Sequence, residues 1–546
     1  MDYSEEIKKF FKGEIHSDEG SLKLASHDAS IFEVTPKLVV APKDAEDLEN
    51  LVKFVAEARS RGDKLSLTAR SAGTDMSGGP LTESIVVDFL PHLNKIKEVG
   101  DSVAVAEPGV YYRDFEKETL KRNLYMPSYP ASRDLCTIGG MVSNNAGGEK
   151  TLTYGKTEKY VRSVKMVLAD GHEYSFSKLN LAELEAVKKR DDFFGEIHRK
   201  MFDLIDSNYE KIMSAKPEVS KNSAGYYLWN VYDKEKGTFD LTKLITGSQG
   251  TLGLLTEATL SLVAPKKFSS LLVVFLPTLK SLAEVTNKVL SFKPESFESF
   301  DDHTLKIALK LFPAIVKKLN GNLVKLAFQF LPEFFMVMTG GVPKLILIAE
   351  FTADSATAAS EQATTARKSL SSFHFKTKIA KNEAEAKKYW TFRRESFNLL
   401  RQHLTNLRTA PFIDDFVVCP EHLPEFLPKL DAILADYKIT YTIAGHVGDG
   451  NFHIIPLMDL KKPESVQIIK ELSDKVYKLV LDFKGSITGE HNDGLIRTSY
   501  LPMMYSPEII KLFEETKKIF DPLDIFNPGK KVGGNRQYAW EHINRG

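Results

Sequence analysis

Arg70-Ser71-Ala72-Gly73-Thr74-Asp75-Met76-Ser77-Gly78-Gly79 follows a strand-like run, Lys64-Leu65-Ser66-Leu67-Thr68-Ala69. Small residues after a strand let backbone N–H groups approach an anion closely, as a pyrophosphate requires. The run is not G-x-G-x-x-G, which argues against a nicotinamide-binding Rossmann unit. It is not G-x-x-x-x-G-K-[ST] either, to which Gly147-Gly148-Glu149-Lys150-Thr151 is only a near miss. Taken alone, it fits a glycine-rich surface turn equally well.

Its surroundings change that balance. Pro130-Ala131-Ser132, Thr137-Ile138-Gly139-Gly140 and Asn144-Asn145-Ala146-Gly147-Gly148 form a second cluster. Gly247-Ser248-Gln249-Gly250-Thr251-Leu252-Gly253 forms a third and leads into a strand-like Leu254-Leu255-Thr256-Glu257. Three such loops imply a long ligand held along its length by backbone groups. Between them the pattern alternates, with helical spacing at 44–59 and strand-like runs at 64–69, 84–89, 102–106 and 161–168. That is a mixed α/β domain to about residue 265. Beyond it, 269–276 and 344–352 read as strands of a second sheet, with helical patterns at 465–483 and 507–519.

Composition narrows the function classes. The 73 basic and 73 acidic residues cancel, so a global basic field for nucleic acid is excluded and no nucleic-acid partner is expected. Two cysteines, Cys136 and Cys419, cannot make a disulfide framework, a four-cysteine zinc site or an iron–sulfur cluster. The first residues carry acids where a signal peptide has its basic region, and no run of about 20 apolar residues lacks a charge. A cytoplasmic protein is expected, soluble or peripheral at the inner face of the membrane.

Tyr441-Thr442-Ile443-Ala444-Gly445-His446-Val447-Gly448-Asp449-Gly450-Asn451-Phe452-His453-Ile454-Ile455-Pro456 reads as a hairpin about Asp449-Gly450. With those two as the loop, His446 faces His453, and two imidazoles so placed can ligate one divalent metal. The same pattern also fits a pair of hydrogen-bonded sheet histidines. Downstream, Gly489-Glu490-His491 could add a carboxylate ligand, Glu490, and a base, His491. A polar loop with no chemistry fits those residues as well.

Together these motifs resemble the FAD-linked oxidases of vanillyl-alcohol oxidase type, in the branch of D-lactate, glycolate and D-2-hydroxyglutarate dehydrogenases, from about residue 35 to 532. The resemblance implies an α+β fold: a two-subdomain FAD-binding domain over 35–265, then a cap and substrate domain over 266–535 built on an antiparallel sheet. Residues 1–34 are then an N-terminal helical extension and 536–546 a tail. It implies non-covalent FAD held by Arg70, Ser71, Ala72, Gly73, Thr74, Asp75, Ser77, Gly78, Pro130, Ser132, Thr137, Gly139, Gly140, Ser143, Asn145, Gly147, Gly250, Gly253, Leu255 and Asn527. Asp75 stands where the family has a glycine and Gln249 where it has a glutamate. The resemblance also implies a divalent metal, zinc favoured, on His446, His453 and Glu490, with His491 as catalytic base. The family's Gly-Ile after that histidine is Asn492-Asp493 here, a change expected to bear on substrate choice.

In Trp390-Thr391-Phe392-Arg393-Arg394, Arg393 matches the arginine that binds substrate carboxylate, which suits a guanidinium fork. A lysine of some relatives is replaced by acids in Phe412-Ile413-Asp414-Asp415-Phe416. The implied activity is oxidation of a small, D-lactate-like 2-hydroxy acid, with a quinone, cytochrome or electron-transfer flavoprotein as acceptor. Alternatives on the same fold are an oxidase of another alcohol, an ether-lipid synthase type or a non-catalytic electron-transfer subunit. Residues 304–338, apolar and basic, are expected to form an insertion that contacts a membrane surface or packs on the cap or in a homodimer.

Overall fold

The structure, a computed structural model, describes residues 3–302, 342–403 and 407–546, and for 395–403 the backbone alone. The expected insertion at 304–338 lies outside the described residues. The architecture is α+β in two domains.

Beside a small three-stranded sheet of Tyr232–Asp233, Thr238–Phe239 and Leu179–Asn180, the first domain holds two larger sheets. One is four-stranded, in the order Glu14–His16, Leu38–Ala41, Ile85–Asp88, Leu67–Arg70, with the last three parallel. The helix Ala45–Ser60 covers it because Leu48, Leu51, Val52 and Val55 recur at helical spacing and are all buried. The other sheet is five-stranded and antiparallel: Ile96–Val99, Val103–Ala106, Leu254–Ser261, Val161–Val167, Glu173–Ser177. The N-terminal extension is not purely helical. It has short helices at Tyr3–Ile7 and Glu19–Ala25, and Glu14–His16 between them pairs antiparallel with Leu38–Ala41.

The second domain carries one antiparallel sheet in the order Lys376–Ile379, Phe268–Leu276, Leu345–Ala353, Ser296–Asp301, Thr440–His446, Asn451–Met458, Arg408–Thr409, and Phe416–Val417 also pairs with Asn451–Met458. Strand alternation divides its two faces. Leu272, Val274 and Leu276 pack with the helices Leu282–Leu290, Ala356–Ser369, Leu423–Ala435 and Pro463–Asp482. Leu271, Val273, Phe275 and Phe300 meet Tyr389, Trp390 and Phe392 of the helix Glu383–His403. The chain then returns to the first domain, where Leu512, Phe513 and Phe520 enter its core and Phe526 bridges to Leu67. Among the described residues, no helix is long and apolar enough to cross a membrane.

Candidate active site

The hairpin forms two register positions from expectation. Val447–Asp449 make a 3-10 turn and Gly450 closes it at φ 66°, so the loop has four residues rather than two. A side chain is excluded at Gly450, since its Cβ would lie 1.8 Å from Val418 O. His446 therefore opposes Asn451, and His453 opposes Ala444. The shift is by two positions across the ladder, which preserves the face, so both imidazoles still lie on one side as diagonal neighbours. Their ring centroids are 5.3 Å apart.

Three imidazoles converge on one carboxylate oxygen. Glu490 Oε1 lies 3.1 Å from His446 Nε2, 3.5 Å from His453 Nε2 and 4.0 Å from His491 Nε2. Each Nδ1 is held by an acid behind it: His446 by Glu298 Oε1 at 2.6 Å, His453 by Asp414 Oδ1 at 2.9 Å and His491 by Asp414 Oδ2 at 2.6 Å. A ring whose Nδ1–H donates backwards presents Nε2 as its basic atom, the tautomer following from the partners. Donor atoms of Asp415, His453, Glu490 and His491 also lie within 4.8 Å of one another. Asp415 is nonetheless already occupied: its oxygens accept the N–H groups of Gly489, Glu490 and His491, Thr488 Oγ1 and Asn451 Nδ2. It shapes the loop, and His446, His453 and Glu490 remain as the expected donor set with atoms facing one another, two nitrogens and a carboxylate oxygen of the kind that could hold a divalent cation.

Charge pairing shifts these groups. Burial works to raise the Glu490 carboxyl, but Lys221 and His446 outweigh it and hold it well below its ordinary range. Burial pulls the His453 imidazole down, yet Asp414 and Glu490 carry it to about 10. His491 is likewise raised against burial, mainly by Asp414 and Asp415. Its side chain is 21% exposed against 4% for His446 and 10% for His453, so His491 is the ring best placed to meet a substrate.

A cavity of about 930 Å³ joins this cluster to the three glycine loops, near the upper end of ligand-site sizes of roughly 300–1,000 Å³. Arg70 to Asp75, Pro130, Ser132, Thr137, Gly139, Gly140, Ser143, Gly147, Gly250, Gly253 and Leu255 line it, together with Arg393, His446, His453, Glu490 and His491. At Gly139 a Cβ would come within 2.5 Å of Pro108, so this wall admits no side chain there. A cavity of this volume walled by such loops suits FAD.

Four expected cofactor residues stand behind that wall. Ser77 Oγ donates to Asp75 Oδ2, and Gly78 N donates to Asp28 Oδ2. Asn145 ends the helix Ile138–Asn144 in the left-handed region and accepts from Glu158 N. Asn527 Nδ2 donates to the carbonyls of Gly79 and Gln249. Asp75 itself binds Ser77, Gly79 and Asn144, so its charge is spent on the loop. Asn492 and Asp493 do not face the substrate region. Asn492 donates to Asn144 O and Gly247 O, Asp493 pairs with Lys531 at 2.7 Å, and Gln249 Oε1 accepts from Gly494 N, so together they tie the base loop to the cofactor loops.

Arg393 lines the cavity, but its Nε and Nη2 already pair with Glu298 Oε2, each at 3.1 Å. Arg394 makes a two-pronged pair with Glu149 across the domains. Glu298, Asp414 and Lys221 were not anticipated. Asp414 inside the apolar run 412–418 was the available signal, because a buried charge is a paired one, whereas the strand Ser296–Asp301 that carries Glu298 is buried but mostly polar. Lys221 carries no such signal.

A two-domain flavin fold with an imidazole–carboxylate cluster at the end of its cofactor cavity defines the class. The FAD binding domain family model matches residues 36–177, the model for FAD linked oxidases, C-terminal domain, matches residues 265–531, and the chain belongs to the FAD-linked oxidases. It is 27% identical to D-2-hydroxyglutarate dehydrogenase of Pseudomonas putida over 526 residues, covering 95% of this chain but 50% of that one, so it spans about half that relative's length. It is 25% identical to D-lactate dehydrogenase of Archaeoglobus fulgidus, covering 92% and 96% of the two chains. Among solved structures, 4-ethylphenol oxidase from Gulosibacter chungangensis matches with a TM-score of 0.69 at 15% identity, over 98% of this chain and 97% of that one, a likeness of fold.

Proposed function

We propose that the chain is an FAD-dependent dehydrogenase that oxidises a small 2-hydroxy acid, D-lactate-like, to the 2-oxo acid, with an acceptor other than NAD. The observation that carries this reading is the single cavity lined both by the glycine loops and by His446, His453, Glu490 and His491. The D-2-hydroxyglutarate and D-lactate dehydrogenases named above support oxidation of a 2-hydroxy acid in general.

The reaction removes a hydride from C2 and a proton from the hydroxyl. Bound FAD supplies the hydride acceptor, and a divalent cation held by His446, His453 and Glu490, zinc by preference, supplies a Lewis acid that lowers the hydroxyl pKa. His491 takes the hydroxyl proton at Nε2, and Asp414 stabilises the imidazolium so formed through Nδ1. Arg393 binds the substrate carboxylate through donors that Glu298 does not take. With acids rather than a lysine at 414 and 415, a second substrate carboxylate finds no cation there.

The test is anaerobic mixing of the flavin-loaded protein with a panel of D- and L-2-hydroxy acids. Bleaching of the flavin by one or more D-acids is expected. A flavin that stays oxidised with every acid, yet is reduced by another alcohol, refutes the reading.

A further inference from the structure

Behind Glu490 lies a lysine removed from water. Lys221 Nζ is 3.1 Å from Glu490 Oε2, 3.4 Å from Asp449 Oδ2 and 3.4 Å from Asn451 Oδ1, and its side chain is 0% exposed. An ammonium pays a large desolvation penalty in such a place and persists only when oxygens surround it. Its presence divides Glu490 in two: Oε2 faces the ammonium, while Oε1 faces His446, His453 and His491. Lys156, another buried lysine nearby, does not share this task. Its Nζ donates to the carbonyls of Asn222 and Gly489, at 2.8 and 2.7 Å, and so fixes the backbone ahead of Glu490 rather than the carboxylate.

We infer that Lys221 is a positioning residue that restricts Glu490 to one ligating oxygen. The inference rests on the reading of His446, His453 and Glu490 as metal ligands. A carboxylate that ligates through both oxygens fills two coordination positions and suits larger cations with more oxygen ligands. Through one oxygen it leaves a position open and suits a small cation such as zinc. A charge-assisted hydrogen bond from the ammonium holds the second oxygen away from that role. The same positive charge reduces the net negative charge of the ligand set, so the cation is held less tightly than the three ligands alone would hold it.

The test uses the full chain loaded with FAD, stripped of metal with a chelator and titrated separately with Zn²⁺ and Mn²⁺. Lys221→Met keeps the length and removes the charge; Lys221→Arg keeps the charge. The Met variant is expected to bind Mn²⁺ more tightly than the wild type, on the order of tenfold, as removal of a like charge from beside the cation predicts, and to lose preference for Zn²⁺. The Arg variant is expected to keep the wild-type ratio. A gain in affinity is something a merely structural lysine would not produce on removal. If Lys221→Met does not fold, Lys221→Gln, neutral and shorter, provides the same comparison. Unchanged affinities for both ions in the neutral variant, or an Arg variant shifted as far as the neutral one, overturn the role of Lys221 alone. A wild-type protein that binds neither ion overturns it together with the assignment of the ligands.

Discussion

His453 and His491 are stacked on one another and share a single carboxylate. Their ring centroids are 4.9 Å apart with planes at 22°, and Asp414 receives one Nδ1 on each of its oxygens. His453 comes from the strand Asn451–Met458 and His491 from the loop after Gly489, so a third segment sets the spacing of a proposed ligand and a proposed base.

Replacing that shared acid should therefore damage both roles at once. Asp414→Asn is expected to lower metal affinity about 10–100-fold, the usual effect of losing the acid behind a ligating histidine, and to slow flavin reduction. Metal titration and stopped-flow absorbance measure the two. An Asn variant that loses neither would show that the pairing has no functional weight.

His491 alone should affect chemistry and not metal content. His491→Ala is expected to slow flavin reduction about 10²–10⁴-fold, the span of general base catalysis, with metal stoichiometry unchanged. Wild-type reduction rates in this variant would remove the base from the account.

The reciprocal experiment concerns the ligands. Alanine at His446, His453 or Glu490 is expected to remove bound metal and most turnover while FAD stays bound, because the glycine loops that line the cofactor end of the cavity are untouched. Elemental analysis and the flavin spectrum read the two properties separately. Stoichiometric metal in the His446→Ala, His453→Ala double variant contradicts the assignment.

His198 makes a prediction about stability. It is buried against Phe176 and Phe194, and burial pushes its imidazole down from 6.5 to about 4. Between those values the unfolded chain binds a proton that the folded chain does not, so the stabilisation is present above pH 6.5 and is lost as pH falls towards 4. The full difference is on the order of 3 kcal/mol. His198→Leu should flatten the fall in melting temperature over that range, measured by calorimetry; an unchanged pH profile would refute it.

Much of this was legible in the residues because period and chemistry agree. The helical spacing at 44–59 recurs as one buried face, and the apolar run expected as a strand at 269–276 recurs as a strand packed on both faces. His446, His453, Glu490 and His491 meet despite a misread turn, since a two-step register shift keeps the face. Which acid stands behind which histidine was not legible: Glu298 is 148 positions from His446 and Asp414 is 77 from His491, and only tertiary packing joins them. Asn492 and Asp493 follow His491 in the sequence, and that adjacency alone suggests modifiers of substrate choice. Their side chains instead turn to Asn144, Gly247 and Lys531, a direction that sequence spacing in an irregular loop does not reveal.

The central claim is that C2 of a 2-hydroxy acid gives up its hydride in this cavity. The most direct measurement is anaerobic stopped-flow reduction of the flavin by the D-acid that bleaches it, compared with the same acid deuterated at C2. The account predicts that reduction is slower with the deuterated acid and that His491→Ala lowers the rate with both. Equal rates for the two acids, with the flavin step itself rate-limiting, would contradict it.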